Sequence, residues 1–133
     1  MKWIIAYVSA AAFFGVLDAM WLSWAGPNLY APVIGDLMAE RINIGAAGVF
    51  YLVYIAGMVW FAIRPGLTDG RVATALLNGV LLGGLCYATF DLTSQAVFRS
   101  WATHISIADI LWGAFATGAA SSGATYLTLK FSN

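Results

Sequence analysis

The chain has 133 residues, six basic and six acidic, with 62% hydrophobic and 9% charged side chains. A mean hydropathy of +0.83, with far less charge than the roughly 25% of an average soluble domain, excludes a water-exposed globular fold and points to an integral membrane protein. Zero net charge gives no electrostatic hold on nucleic acid, and the single cysteine, Cys86, excludes an internal disulfide framework.

Four stretches approach the roughly 20 apolar residues that a bilayer-spanning helix needs: Trp3–Ala25, Gly45–Ile63, Val72–Thr93 and Ser106–Leu129. The predicted fold is therefore all-α, a polytopic membrane protein whose four transmembrane helices form one bundle, with residues 1–133 as a single domain. The first run follows Lys2 and contains Ser23-Trp24-Ala25, which loosely resembles a leader cleavage site. Its length and the interruption by Asp18 predict a retained helix instead. Between the first two spans, Tyr30, Val33, Ile34, Leu37, Met38 and Ile42 recur at helical spacing with Asp36, Glu40, Arg41 and Asn43 between them. This pattern predicts a short amphipathic helix along the interface, or a simple bridge between the two spans, with Pro32 tolerated in a first turn.

Arg64-Pro65-Gly66 is expected to end the second span, because proline cannot continue a helix and disfavours helical geometry in the residue before it. The third span carries Gly79 and Gly83, and the fourth carries Gly118 with Ser122 and Ala119 with Gly123, all at four-residue spacing. Such small residues let backbones approach, either between these two helices or across a homodimer. Trp3, Trp24 and Trp101 fall near helix ends and read as interfacial anchors. With four spans, Lys2, Arg64, Arg71 and Lys130 share one side against Arg41 and Arg99 on the other, which predicts both termini cytoplasmic.

Three acids lie inside predicted spans: Asp18, Asp91 and Asp109. An intramembrane acid costs at least a few kcal/mol and marks a bundle interior or a site. All three fall in the half of the bundle opposite the termini. Asp18-Ala-Met-Trp21 and Asp109-Ile-Leu-Trp112 share a D-x-x-W pattern that sets carboxylate and indole on one helical face, where both could receive a cation. Each acid also has a structural explanation. Ser106-Ile-Ala-Asp109 fits a capping box at a helix start, and Asp18 could pair with Arg41 or Arg99. Asp91 sits where the helix macrodipole disfavours negative charge, so it calls for a fixed partner or a role. His104 and Asn43 border the same end from loops, and Asn78 lies deeper in the third span. No HExxH, HxxxH or CxxC spacing supports a metal, and no nucleophile elbow, P-loop or dinucleotide turn is present, leaving cofactors unspecified.

The run Tyr87-Ala-Thr-Phe-Asp91-Leu-Thr93, the later Asp109-Ile-Leu-Trp112-Gly113, the opening Leu17-Asp18-Ala-Met-Trp21-Leu22, and Phe50-Tyr51-Leu-Val-Tyr54 with Arg64-Pro65 after it together resemble the bacterial membrane proteins grouped as domain of unknown function family 2177. The resemblance covers essentially the whole chain. It implies a small four-span inner-membrane protein and carries no activity.

The candidate binding residues are Asp18, Asp91, Asp109, Trp21, Trp112, Tyr87 and Thr93, with Arg41 and Arg99 as possible counter-charges. They suit a binding or transport protein with an outer-facing acidic pocket for a cation, a proton or a cationic small molecule, the lipid bilayer being its surroundings. Two other readings stay open. One is an accessory or structural subunit whose acids and arginines tie helices together. The other is an enzyme acting on lipid, with the acids dividing acid, base and metal-ligand roles.

Overall fold

The computed structural model describes residues 1–132 and is helical almost throughout. Its elements are α1 (Lys2–Ala25), a π-helical turn (Gly26–Tyr30), α2 (Ala31–Ile34), a 3-10 turn (Gly35–Leu37), α3 (Ile44–Met58), a second π-helical turn (Val59–Ile63), α4 (Arg64–Asp69), α5 (Val72–Val97) and α6 (Thr103–Phe131). Because several of these follow without a break, the chain makes four long rods. Three of them, Lys2–Leu37, Ile44–Asp69 and Val72–Val97, are long and apolar enough to cross a membrane. The fourth, α6, has 29 residues, about 43 Å at a helical rise of 1.5 Å per residue. It is richer in small and hydroxyl side chains, and these face protein: Thr117, Ser121, Thr125 and Thr128 are all buried.

Two proline sites overturn expectations. No separate interfacial helix stands between the first and second rods, since the first continues through Gly26 to Leu37. Gly26 stays right-handed and helical instead of adopting a left-handed stop, and the wider π turn accommodates Pro27, which has no N–H to donate. Asn28 Nδ2 donates to Trp24 O at 2.8 Å across this turn. The second rod likewise does not end at Arg64-Pro65. The Val59–Ile63 π turn precedes the proline, and the helix runs on to Asp69. Pro65 offers no N–H to Phe61 O four residues back; Asn78 Nδ2 from α5 donates to it instead, at 3.3 Å. The true end is Gly70, at φ 69, where Arg71 N donates to Gly66 O at 3.0 Å and Gly70 N to Leu67 O at 3.3 Å, the paired bonds of a Schellman stop.

Packing follows three stripes of residues spaced by four. On α1 the stripe is Ala6, Ala10, Phe14 and Asp18, all buried. On α5 it is Ala75, Gly79, Gly83 and Asp91, with half-buried Tyr87 in the same series. On α6 one series is Asp109, Gly113, Thr117, Ser121 and Thr125, beside a second of Ala116, Ala120 and Ala124. Rows four apart form the ridges by which helices interlock. The closest contact is between α5 and α6: a methyl group added at Gly79 would stand 2.9 Å from Gly118 Cα, and one at Gly83 would stand 2.2 Å from Gly113 O. Both glycine motifs are thus used within the chain, leaving neither free to drive a dimer.

Contacts fix the direction of every rod. Phe13 meets Gly123 while Trp21 stacks on Trp112, so α1 and α6 are antiparallel. Gly79 meets Gly118 while Ser106 reaches Asp91, so α5 and α6 are antiparallel too. Tyr7 Oη donates to Leu52 O at 2.9 Å, and Phe14 packs on Tyr51 and Tyr54, placing α3 against the other flank of α1. An acid-bearing end of each of the three stripes therefore lies at the same end of the bundle.

Candidate functional site

Asp18, Asp91 and Asp109 are 7%, 0% and 4% exposed, so each carboxyl is removed from bulk solvent. Tyr51 Oη donates to Asp18 Oδ2. Tyr30 Oη donates to Asp109 Oδ1 and itself accepts from Trp21 Nε1 at 3.0 Å. Asp109 is electrostatically close to both of the other acids. Neither oxygen of Asp91 has a hydrogen-bond partner of regular geometry among the described residues, and neither does Trp112 Nε1, which lies near Asp18.

The two D-x-x-W segments meet face to face. Trp21 and Trp112 stack with ring centroids 4.9 Å apart and planes 6° from parallel. The three-residue offset that puts each acid beside its own indole also puts each indole toward the acid of the other helix: Trp112 faces Asp18, and Trp21 reaches Asp109 through Tyr30. Tyr87, four residues before Asp91 and hence on its face of α5, packs its ring on Gly113, where a methyl group would stand 2.2 Å from Tyr87 Cγ. Gly113 is what lets that ring in.

A cavity of about 610 Å³ at this end of the bundle is lined by Asp18, Asp109, Trp21, Tyr30, Tyr54 and Tyr87 among others, whereas Asp91 and Trp112 do not line it. Tyr54 is held by its hydroxyl against Thr117 Oγ1 at 2.8 Å. Trp101, read from sequence as an anchor, lines the cavity and donates to Ser106 Oγ at 3.0 Å; Ser106 in turn donates to Gln95 Oε1 at 2.7 Å, tying the α5–α6 turn shut. Acids set in aromatic walls can take a cation by charge and by ring quadrupole together. Among the described residues no group of three His, Cys, Asp or Glu side chains is disposed to hold a metal ion.

Some sequence candidates lie elsewhere. Thr93 is exposed and its hydroxyl turns back onto Thr89 O and, at 3.1 Å, Phe90 O, because two residues past Asp91 is the opposite side of a helix. Arg41 and Arg99 are exposed, and the hydrogen bonds to the buried carboxyls come from hydroxyls instead. His104 is exposed as well. The capping-box reading of Asp109 fails: α6 begins at Thr103 with Ala102 as its cap, so Asp109 sits in the second turn and Ser106 is bonded to Gln95. Conversely, Tyr30, Tyr51 and Tyr54 were not singled out as site residues. Their signal was a phenol on an otherwise apolar helical face, which in a membrane helix needs a polar partner.

Residues 3–127 match the model of a family described as predicted membrane protein, DUF2177. The chain belongs to this family. Its Tyr87–Thr93 and Asp109–Gly113 runs are the two segments that the packing of Tyr87 on Gly113 brings together. Searches of curated proteins and of solved structures return no match.

Proposed function

We propose that the protein binds an organic cation at the Asp18–Asp109–Asp91 row, as a carrier or binding protein of the bacterial inner membrane. The observation that carries this reading is a pair of buried carboxyls, Asp18 and Asp109, lining an aromatic cavity and hydrogen-bonded by phenols and not by a base, with the buried Asp91 carboxyl close to Asp109. Like charges set together in a low-dielectric interior need a proton or a cation nearby. A cavity of about 610 Å³ lies within the range of roughly 300–1,000 Å³ typical for small-molecule ligands and is far larger than a bare ion needs. On this reading α6 also crosses the bilayer, its hydroxyl groups shielded by α1, α3 and α5. Lys2, Arg64, Arg71 and Lys130 would then mark the cytoplasmic end and the cavity would face outward.

The test uses tetraphenylphosphonium, an apolar cation, with the detergent-solubilised protein. Saturating probe is expected to raise the melting temperature, since binding to the folded state stabilises it by RT ln(1 + [L]/Kd), and to quench the Trp21–Trp112 pair. Asp109→Asn and Asp18→Asn should each weaken binding by about tenfold, equivalent to about 1.4 kcal/mol. Unchanged affinity in both variants, or no effect of the cation on the wild-type protein, refutes the reading.

A further inference from the structure

The cavity lies beside a pair of rods that touch sparsely. The rod containing α3 meets α5 through the Val59–Ile63 turn and α4, at the end away from the acids, while α3 itself scarcely touches α5. The last bridge before the gap is the edge-to-face pair of Tyr54 and Tyr87, with ring centroids 6.4 Å apart. Past that pair, the cavity is flanked by Phe50 on α3 and Phe90 on α5, which are 43% and 58% exposed. Phe50 lies six residues into α3 and Phe90 seven residues before the end of α5, about 9 and 10 Å inside the helix ends at a rise of 1.5 Å per residue. Val53 on α3 and Leu85 on α5 are also well exposed, and neither side chain interacts with water favourably. At that depth the two exposed helix flanks lie level with lipid chains, while Met38 and Trp101 from the loops close the cavity toward the helix ends.

We infer that the ligand is a single-chain cationic amphiphile that enters from the bilayer between α3 and α5, placing its charged head at Asp18 and Asp109 and leaving its chain in the Phe50–Phe90 gap. This rests on the cation-binding reading and adds the ligand class and route. Charge complementarity selects the head: the polar groups at the back are carboxyls and hydroxyls, with no basic side chain among the cavity walls. The lateral gap selects the tail, because an apolar chain threaded through it trades one hydrocarbon environment for another, whereas a fully hydrated ion must shed its water to pass.

Cys86 is the single cysteine, half-buried, and lines the cavity, so it reports occupancy without any engineered residue. In lipid nanodiscs, the full chain is labelled with pyrene maleimide, a probe that dissolves in the bilayer, in the presence of tetramethylammonium, dodecyltrimethylammonium or dodecanol. Dodecyltrimethylammonium is expected to protect Cys86 at a concentration at least about tenfold below either of the other two. Phe50→Ala and Phe90→Ala, changes at exposed positions, should each reduce that advantage. Equal protection by tetramethylammonium overturns the amphiphile and its route while the cation site stands. Equal protection by dodecanol shows that charge is irrelevant and overturns the cation reading itself. A charged, bilayer-impermeant thiol reagent that labels Cys86 as fast as pyrene maleimide shows the cavity opening to water and overturns the lateral entry.

Discussion

Replacing Gly83 by alanine tests whether the site depends on backbone contact between α5 and α6. The added methyl would stand 2.2 Å from Gly113 O and 2.7 Å from the Thr117 side chain, against 3.4–4 Å for ordinary contact. The nearest obstacle is a carbonyl on a buried helix, which no rotamer change can move, so the helices must part locally by roughly 1 Å. Overpacking of this kind costs about 1–3 kcal/mol, while alanine in place of glycine in a helix returns about 0.5–1 kcal/mol. The expected net loss is about 0–2.5 kcal/mol, centred near 1 kcal/mol. Gly84, the next residue, is the control: its added methyl would lie 3.8 Å from Ala114 Cβ, in ordinary contact, so Gly84→Ala should be neutral or more stable by up to about 1 kcal/mol. Reversible unfolding in mixed micelles, followed by tryptophan fluorescence, measures both. Gly83→Ala should also weaken cation binding, because parting the helices at Gly113 frees the Tyr87 ring that walls the cavity. Equal unfolding midpoints for the two alanine variants, or a larger loss at Gly84, would refute the close-packing argument.

Tyr30→Phe leaves Asp109 without its phenol donor and Trp21 Nε1 without an acceptor; a loss of about 1.5–3 kcal/mol is expected, with faster proteolysis within Gly26–Leu37, and protection equal to wild type would contradict it. Asn78→Ala removes the donor to Phe61 O and should cost about 0.5–1.5 kcal/mol. In a Pro65→Ala background, which restores a backbone N–H, the same change should cost less, and strict additivity in the double-mutant cycle argues against the compensation. For orientation, Glu40→Cys and Thr68→Cys in a Cys86→Ser background are labelled with an impermeant maleimide on spheroplasts. Position 40 should react directly and position 68 only after permeabilisation, and the reverse pattern would invert the assigned topology.

Much of the convergence was already written in the chain. Asp18 extends the Ala6, Ala10, Phe14 series, Asp91 extends Ala75, Gly79, Gly83 and Tyr87, and Asp109 begins Gly113, Thr117, Ser121 and Thr125. A polar residue continuing a stripe of small residues shares their buried face, and alternating helix directions bring the acid-bearing ends together. The two proline sites misled for a different reason. The rule that proline stops a helix assumes α-helical hydrogen bonding, and a π turn at or just before the proline removes that assumption. Whether such a turn forms depends on who receives the freed carbonyls, and for Phe61 the answer is Asn78, 17 residues away.

Composition and hydropathy by themselves determined an all-helical membrane protein with buried acids and with its arginines outside the apolar runs, because a bilayer admits few other arrangements for such a chain. Tertiary structure alone decided the rest. Continuation of the first helix through Pro27 carries Tyr30 over Asp109, and the Trp21–Trp112 stack crosses each indole to the opposite helix's acid. The sparse contact of α3 with α5 leaves a cavity between the rods that Asp18 and Asp109 line. Each of these depends on the direction and separation of whole helices, which periodicity along one strand of sequence does not encode.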